Sequence, residues 1–353
     1  MVRNIEVDFN RLPQIRSDPT IPHRTVIVST QRQGVKKEKN EKCPFCPGNE
    51  EETPKELVRI PNFLDAAKWQ VRGFANAFPF LMIEDGNNGN SYSQFWKEYL
   101  KKGTGAHELV VESPKHDALL SLLSLREIAA VLEAISCRYW DLKKDLRFKY
   151  FFTFKNFGEG ASQDHPHWQL EARAYAPQLI YQKLQEQSRY WITEQECLYC
   201  RLLQEEKDRY VCKNKYFLAY VPWAPAEPYQ IRIVPKEHFA SFAVQFQNKE
   251  IMLSFASILK ESMLRIKILR QGNNWEKLTD PQYVTGLYTA PYGEELEKCY
   301  HWSFDILPRT TFKVGHERGT GEDIIKIFPE EAAAQLRAVK IPAHFYFCGL
   351  FLN

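Results

Sequence analysis

The stretch Gly158-Glu-Gly-Ala-Ser-Gln-Asp-His165-Pro-His167-Trp-Gln169 joins a glycine-rich turn to a segment that carries histidines at alternating positions. On an extended segment, residues two apart point to the same face, so His165, His167 and Gln169 are predicted to face one way. A neutral imidazole can act as a nucleophile or as a metal ligand. The glycines let backbone N–H groups approach an anion closely. The stretch therefore predicts a site for the transfer of a phosphorus group.

Composition narrows the class of protein. The chain has 353 residues, 44% of them hydrophobic, and a formal net charge of +3. This length fits one large domain or two ordinary ones, and the charge is too small to indicate a nucleic-acid partner. No apolar run is long enough for a membrane span, and the charged N-terminus lacks the apolar core of a signal peptide. We therefore expect a cytoplasmic globular protein.

Two CxxC motifs account for half of the eight cysteines. They are Cys43-Pro-Phe-Cys46 and Cys197-Leu-Tyr-Cys200. Without a secretion signal, such a pair indicates metal binding or redox chemistry rather than a disulfide. A redox dithiol usually precedes a helix, whereas Pro47-Gly48-Asn49 follows the first pair. Zinc is therefore the favoured interpretation, because a CxxC turn presents two thiolates to a tetrahedral ion.

The two halves of the chain share four features in the same order. The first half has Cys43-x-x-Cys46, Glu108-Leu-Val-Val-Glu112, Ser113-Pro-Lys-His116 and His165-x-His167-Trp168. The second half has Cys197-x-x-Cys200, Gln230-Ile-Arg-Ile-Val234, Pro235-Lys-Glu-His238 and Cys299-x-His301-Trp302. This order predicts the duplication of one α+β unit, with units at residues 1–175 and 176–353.

Local signals predict the elements of each unit. Ser124 and Glu127 form a capping box, and an apolar stripe runs from there to Tyr139 at helical spacing. The stripe Ile251–Leu269 plays the same part in the second half. Strands are predicted at apolar or alternating runs such as Tyr150-Phe-Phe152. Each unit should thus be a mostly antiparallel sheet with one long helix across a face.

The CxxC pairs need two further ligands each. For the first pair, His165 and either His116 or His107 are the candidates, and the repeat favours His116 because it aligns with His238. The alternative is that His116 is an ordinary surface histidine. For the second pair, the same alignment predicts a second zinc site formed by Cys197, Cys200, His238 and Cys299. Here the alternative is a set of buried thiols that only pack.

If His165 binds a metal, His167 is left for chemistry. Gln169 lies on the same face and can hydrogen-bond a phosphate oxygen, and Ser162 and the Gly160 region can supply further donors. Attack of the His167 imidazole on phosphorus would give a phosphoramidate. The alternative is that both histidines are ordinary strand residues.

The combined motifs resemble the galactose-1-phosphate uridylyltransferase branch of the histidine triad superfamily. The resemblance lies in Asn156…Gly160-x-Ser162-x-x-His165-Pro-His167-x-Gln169, Cys43-Pro-Phe-Cys46-Pro-Gly-Asn49, Arg16-x-Asp18-Pro19, Ala75-Asn76-x-Phe78-Pro79 and Pro235-Lys-x-His238. It covers nearly the whole chain. It implies two tandem histidine-triad-like units in each chain and a homodimer.

The resemblance also implies roles for individual residues. His167 would be the nucleophile of a double displacement that takes a nucleoside monophosphate from a nucleotide sugar and passes it to a second sugar phosphate. Gln169 and Ser162 would hold the α-phosphate, with Asn156 nearby. The remaining residues that it implies are Asn76 and Phe78 in the nucleoside pocket, Arg32 near the phosphates, Glu317 in the sugar-phosphate segment, and Cys43, Cys46, His116 and His165 as zinc ligands.

Three departures from the family pattern bear on the substrate. Trp168 stands where the family often has Gly or Ser, and Ser303 stands where bacterial members carry a metal-binding histidine. His301, taken as the counterpart of His167, is expected to be non-nucleophilic and to help form the sugar pocket. Gly319-Thr-Gly321 is similar to shorter members that include ADP-glucose phosphorylases.

The expected function is a UDP-glucose–hexose-1-phosphate uridylyltransferase. An ADP-glucose phosphorylase, with inorganic phosphate as acceptor, is the first alternative. A non-catalytic nucleotide-binding module, in which zinc serves only the fold, is the second.

Overall fold

The computed structural model describes residues 12–29, 42–84, 92–271, 279–293, 296–310, 312–343 and 345. Within them the strands are β1 (Gln14–Ser17), β2 (Thr25–Val28), β3 (Glu56–Pro61), β4 (Trp69–Ala75), β5 (Leu100–Lys102), β6 (Gly105–Val111), β7 (Tyr150–Phe157), β8 (His167–Arg173), β9 (Tyr210–Lys213), β10 (Phe217–Tyr220), β11 (Ile231–Pro235), β12 (Tyr283–Tyr288) and β13 (Ser303–Pro308). The helices are α1 (Gln94–Glu98), α2 (Leu125–Leu142), α3 (Gln178–Glu194), α4 (Leu198–Glu205), α5 (Phe242–Gln245), α6 (Lys249–Gln271), α7 (Gly315–Thr320) and α8 (Pro329–Ala338).

Ten of these strands form one antiparallel sheet in the order β3-β4-β6-β8-β7-β12-β13-β11-β10-β9. Each half of the chain contributes five neighbouring strands, and the halves join where β7 pairs with β12, with Phe154 opposite Gly286. The predicted α+β class with antiparallel sheets is confirmed. The fusion of the two halves into one sheet was not predicted. The domain division at residues 175 and 176 stays a prediction.

Helices α2 and α6 are the two long helices that the apolar stripes predicted. At the start of α2, the Ser124 hydroxyl accepts the Glu127 N–H at 3.2 Å, and the Glu127 carboxylate accepts the Ser124 N–H at 2.7 Å. This capping box satisfies two backbone donors that a helix start otherwise leaves without partners. The predicted stripes are the buried faces of both helices.

The two faces of the large sheet have different roles. One face packs against α2 and α6 and buries large side chains such as Trp168, Phe151, Trp302 and Phe255. Because side chains alternate along a strand, His167 and Gln169 flank Trp168 and point to the opposite face. The core thus fixes the backbone that carries the candidate site.

Two further features complete the fold. The strands β2, β1 and β5, in that order, form a separate small antiparallel sheet. Among the residues that the structure describes, no helix has the length and apolarity required to cross a membrane.

Candidate active site and metal centres

His167 is the first residue of β8, and His165 lies two residues before it, where the chain leaves the glycine-rich turn. The imidazole of His165 is buried, and its Nε2–H donates to the Ser113 carbonyl at 2.8 Å. Burial lowers the pKa of His165 to about 4, which keeps the ring neutral. Its Nδ1 therefore carries a lone pair and faces the CxxC loop.

The structure brings Cys43, Cys46, His116 and His165 together, with one ligand atom from each within 4.8 Å of the others. Nδ1 of His165 lies 3.7 Å from Cys43 Sγ and 3.6 Å from Cys46 Sγ, and Nδ1 of His116 lies 3.4 Å from Cys46 Sγ. In a tetrahedral zinc site, the usual Zn–S and Zn–N bond lengths separate sulfur and nitrogen by roughly 3.6 Å. The four side chains therefore fit one tetrahedral ion.

His167 is buried, with 2% of its surface exposed, and its Nδ1 lies 2.9 Å from the His165 carbonyl oxygen. Because a carbonyl oxygen can only accept, Nδ1 carries the proton and Nε2 carries the lone pair. Burial lowers the pKa of His167 to about 4, and the charge of Lys155 contributes in the same direction. The ring is thus a neutral imidazole with its nucleophilic nitrogen directed away from the backbone.

A pocket lies next to His167, whose ring meets that of Phe45 edge-on at a centroid distance of 5.4 Å. Residues from the CxxC loop, from β4 and β6 and from the glycine-rich turn line it: Phe45, Phe74, Asn76, Phe78, Leu109 and Ser162. The structure therefore places predicted nucleoside-pocket and phosphate residues around one hollow. Its lining is mostly apolar and includes three phenylalanine rings, as suits a nucleobase.

Gln169 lies two residues beyond His167 on the same face of β8. Its Oε1 lies 3.0 Å from Nε2 of His107. His107 lies on β6 and is paired with Glu171, the next residue of β8 on the same face as Gln169. His107 also contacts Asn76, whose amide nitrogen lies 3.2 Å from the same ring nitrogen. His107 is therefore a neighbour of two candidate substrate residues and does not belong to the metal cluster.

The glycine-rich turn requires its glycines. Gly158 and Gly160 have φ values of 88° and 98°, in the left-handed region that other residues rarely adopt. The guanidinium of Arg309, which follows β13 in the second half, donates to the Glu159 carbonyl. A positive charge from the second half thus lies beside the turn that carries Ser162.

The remaining predicted substrate residues are placed as follows. Asn156 lies on β7 opposite Val284, at the junction of the two halves. Glu317 lies in α7, where its carboxylate accepts the Val314 N–H at 3.1 Å; no described contact joins it to the residues around His167. Arg32 lies outside the described residues.

The second cluster differs from the prediction in one ligand. One ligand atom from each of Cys197, Cys200, His238 and His301 lies within 4.8 Å of the others. His301 Nδ1 lies 3.7 Å from both cysteine sulfurs, and its Nε2–H donates to the Pro235 carbonyl at 3.0 Å. The Cys299 thiol instead contacts the Ser188 hydroxyl at 3.7 Å. The prediction for Cys299 is therefore wrong, because the chain turns after Cys299 and places His301 against the cysteines.

With His301 in the second cluster, the alignment of the second half on the first moves by two residues. His301 is the structural counterpart of His165 and not of His167, so the counterparts of His167 and Gln169 are Ser303 and Asp305. His301 faces the cysteines, so the expectation that it helps form a sugar pocket is wrong. Asp305 is paired with Arg232 at 2.7 Å, and the first half alone has the imidazole and the amide on this face. The second half thus keeps the Cys2His2 cluster and has no counterpart of the His167 imidazole.

Three residues near the site were not assigned to it from the sequence. Phe45 lies inside the first CxxC motif, and its position between the two cysteines was the available signal. His107 had been considered only as a metal ligand. Arg309 comes from the other half of the chain, and no local pattern connects it with the glycine-rich turn.

Known proteins resemble this chain along nearly its whole length. Residues 14–177 match the family model described as galactose-1-phosphate uridyl transferase, N-terminal domain. An ADP-glucose phosphorylase of Arabidopsis thaliana is 29% identical over 347 residues, which cover 94% of each chain. A galactose-1-phosphate uridylyltransferase of Thermotoga maritima is 29% identical over 343 residues, which cover 93% of this chain and 99% of the relative.

Solved structures agree with the sequence matches. A uridylyltransferase structure superposes with a TM-score of 0.76 at 26% identity, covering 92% of this chain and 97% of that chain. The crystal structure of an ADP-glucose phosphorylase from Arabidopsis thaliana with bound ADP-glucose gives a TM-score of 0.73 at 28% identity, covering 94% and 99%. Together with the HPHxQ segment and the Cys2His2 cluster beside it, these matches show that the chain is similar over nearly its whole length to galactose-1-phosphate uridylyltransferases and to an ADP-glucose phosphorylase.

Proposed function

We propose that this protein is a nucleotidyltransferase that works through a covalent bond between His167 and a nucleoside monophosphate. The observation that carries the proposal is the hydrogen bond from His167 Nδ1 to the His165 carbonyl at 2.9 Å, because it leaves the lone pair on Nε2. Relatives of 29% identity support it: a galactose-1-phosphate uridylyltransferase, whose name describes uridylyl transfer, and an ADP-glucose phosphorylase, whose name describes a reaction of a nucleotide sugar.

The reaction has two displacements. Nε2 of His167 forms a bond to the α-phosphorus of a nucleotide sugar, and the bond from that phosphorus to the bridging oxygen breaks, releasing hexose 1-phosphate. A phosphate oxygen of the acceptor then bonds to the same phosphorus, and the P–N bond to His167 breaks. Through both steps the His165 carbonyl holds the Nδ1 proton, so the ring needs no separate base to become a nucleophile.

The phosphate contacts come from three segments. Gln169 lies on the face of β8 that carries His167, and its amide can donate to an α-phosphate oxygen. Ser162 borders the same hollow from the glycine-rich turn, and Asn76 and Phe78 border it from the nucleoside side. Gly160, Asn156 and Arg32 complete the proposed substrate residues. Glu317 belongs to the segment proposed to contact the sugar phosphate.

We propose zinc at both Cys2His2 clusters. The donor set is the one that structural zinc prefers, and the sulfur–nitrogen distances of 3.4–3.7 Å suit it. The first ion would fix the ring of His165, and the backbone carbonyl of His165 orients His167. Its contribution is therefore positional, because four protein ligands leave no open coordination position.

The substrate proposed first is UDP-glucose, with a hexose 1-phosphate as acceptor. ADP-glucose with inorganic phosphate is the second candidate, and the observation in its favour is the 29% identity to the Arabidopsis phosphorylase across 94% of both chains. We further propose a cytoplasmic homodimer without a nucleic-acid or membrane partner. Exposed apolar side chains near the small sheet, including Val26, Phe95 and Trp96, support an association surface. Free cysteines suit a reducing compartment.

The test is capture of the covalent intermediate. The protein is incubated with UDP-glucose or ADP-glucose and without acceptor, and the intact mass is measured. We expect one added uridylyl or adenylyl group, its loss in His167→Asn, and its retention in His23→Asn, which changes an exposed histidine elsewhere. Release of the group by galactose 1-phosphate or by phosphate identifies the acceptor. Nucleotide binding without any adduct or turnover would instead support the non-catalytic module and overturn the proposal.

A further inference from the structure

His107 stands between the two substrate-facing amides of the site. It lies on β6, is 4% exposed, and packs against the Phe80 ring at a centroid distance of 3.9 Å, with the two ring planes tilted by 41°. It takes no part in the metal cluster, which uses His116. A buried imidazole that contacts Gln169 and Asn76 therefore requires a role of its own.

Its hydrogen bonds fix the tautomer. The backbone N–H of Phe80 donates to His107 Nδ1 at 3.3 Å, so this nitrogen carries a lone pair and no proton. In the neutral ring the proton is then on Nε2, which lies 3.0 Å from Gln169 Oε1. Since an amide oxygen only accepts, Nε2–H donates to Gln169.

This donation fixes which way the Gln169 amide points. If the amide were flipped, its NH2 group would face Nε2–H, and two donors would meet in a buried site without an acceptor. The oxygen is therefore held toward His107, and the NH2 group is left for a ligand. A phosphate oxygen is an acceptor, so it needs the NH2 end of Gln169.

His107 also contacts the nucleoside side. The Asn76 amide nitrogen lies 3.4 Å from Nδ1 and 3.2 Å from Nε2, so it is nearly equidistant from both, faces the ring and is not in line with Nε2–H. The Asn76 Oδ1 accepts the Phe78 N–H at 2.9 Å. The backbone N–H of Asn76 donates to the His107 carbonyl at 2.9 Å. One residue thus holds the phosphate-side amide and the turn that carries Asn76 and Phe78.

We infer that His107 is a positioning residue, which presents the NH2 group of Gln169 to the transferred phosphate and ties that amide to the nucleoside pocket. The inference rests on the proposed function, since it assigns Gln169 to the phosphate. It requires the Nε2–H tautomer of His107 in the resting protein.

Two substitutions separate the two ring nitrogens. His107→Asn places an amide near the Nδ1 position and can still accept from Phe80, but it is too short to donate to Gln169. His107→Gln places an amide nitrogen near the Nε2 position. We expect His107→Asn to slow adduct formation by about 10- to 100-fold in single turnover, and His107→Gln to restore most of that rate.

A double-mutant cycle tests whether the effect passes through Gln169. In a Gln169→Ala background, His107→Asn should slow adduct formation by less than about threefold further. A full additional loss in that background would mean that His107 supports the fold generally, and this result would overturn the inference.

A spectroscopic measurement keeps the inference testable even if the variants fold poorly. In wild-type protein with 15N-labelled histidine, the signal that shifts in Gln169→Ala should have the chemical shifts of an Nε2–H tautomer at pH 7. An Nδ1–H or doubly protonated ring would overturn the inference. If wild-type protein forms no adduct, the proposed function fails, whereas the tautomer result still tests the geometry around His107.

Discussion

His165 and His301 hold equivalent positions in the two halves of the chain. Each ring directs Nδ1 toward a CxxC pair and donates from Nε2 to a backbone carbonyl, at 2.8 Å to Ser113 and at 3.0 Å to Pro235. The carbonyl fixes the tautomer and so leaves Nδ1 free to bind a metal, an arrangement common around metal-bound histidines. The two clusters are thus built alike, although two residues after the ligand histidine the chain carries His167 in the first half and Ser303 in the second.

This likeness predicts two zinc ions per chain. Cys197→Ser removes a thiolate from the second cluster, so we expect the zinc content of purified protein to fall from about two ions to about one. Because the second cluster lies in the half without His167, the remaining ion should still support adduct formation. Metal analysis by mass spectrometry, together with the intact-mass assay, measures both quantities.

Cys299→Ser is the matched control for this prediction. Its thiol contacts Ser188 and lies outside the cluster, so its zinc content should equal that of the wild type. Loss of zinc in Cys299→Ser, or unchanged zinc in Cys197→Ser, would contradict the assignment of His301 as the fourth ligand.

A buried ion pair lies close to His167 in the sheet. Lys155 Nζ is 2.5 Å from the Glu112 carboxylate, whose second oxygen accepts the Trp168 indole N–H at 2.8 Å. Lys155 and Glu112 are both 0% exposed. Lys155→Met would leave the Glu112 charge buried and unpaired, so we expect the free energy of unfolding to fall by about 3–5 kcal/mol in urea denaturation.

The exposed pair Lys215–Glu250 provides the comparison. Its side chains are 70% and 65% exposed, so water replaces the lost contact and Lys215→Met should leave the free energy of unfolding nearly unchanged. If Lys155→Met lowers the free energy of unfolding no more than Lys215→Met does, the burial of the Lys155–Glu112 pair does not determine its contribution to stability. The double variant Glu112→Gln with Lys155→Met should recover part of the stability, because no charge then stays unpaired.

Local sequence patterns predicted the parts of the fold whose causes are local. The capping box of Ser124 and Glu127 and the apolar stripe after it are sufficient to define α2, because both depend on contacts within a few residues. The grouping of Cys43, Cys46, His116 and His165 was predicted as well, since the CxxC spacing limits its geometry and the repeat selects His116 over His107.

The features that the sequence did not reveal depend on contacts between distant segments. In the sequence, Trp168 and Trp302 suggest an alignment of the two halves. In the structure the two side chains have different partners: Trp168 donates to Glu112 in the first half, and Trp302 donates to Gln245 on α5. The correct alignment of the two halves differs from this one by two residues, so His301 and not Cys299 lies against the second CxxC pair. The pairing of β7 with β12 and the position of Arg309 likewise arise only when the halves meet.

The two halves of the chain meet at the glycine-rich turn, where Arg309 donates to the Glu159 carbonyl. Gly160 has a φ of 98°, and a Cβ atom there would lie 2.9 Å from Nη1 of Arg309. Gly160→Ala therefore combines backbone strain with displacement of the guanidinium from the Glu159 carbonyl. We expect adduct formation in single turnover to slow by about 10-fold or more, because the turn positions Ser162.

Gly321→Ala separates these two causes. Gly321 also has a positive φ, of 79°, but a Cβ atom there would have no neighbour within 4 Å. It therefore gives the cost of the conformation alone as a loss in the free energy of unfolding, and Gly160→Ala should lose more because it also displaces Arg309. If Arg309→Met slows the reaction as Gly160→Ala does, the guanidinium is what holds the turn in place. If Arg309→Met reacts at the wild-type rate, the turn keeps its shape without the second half, and the proposed contribution of that half to the site is wrong.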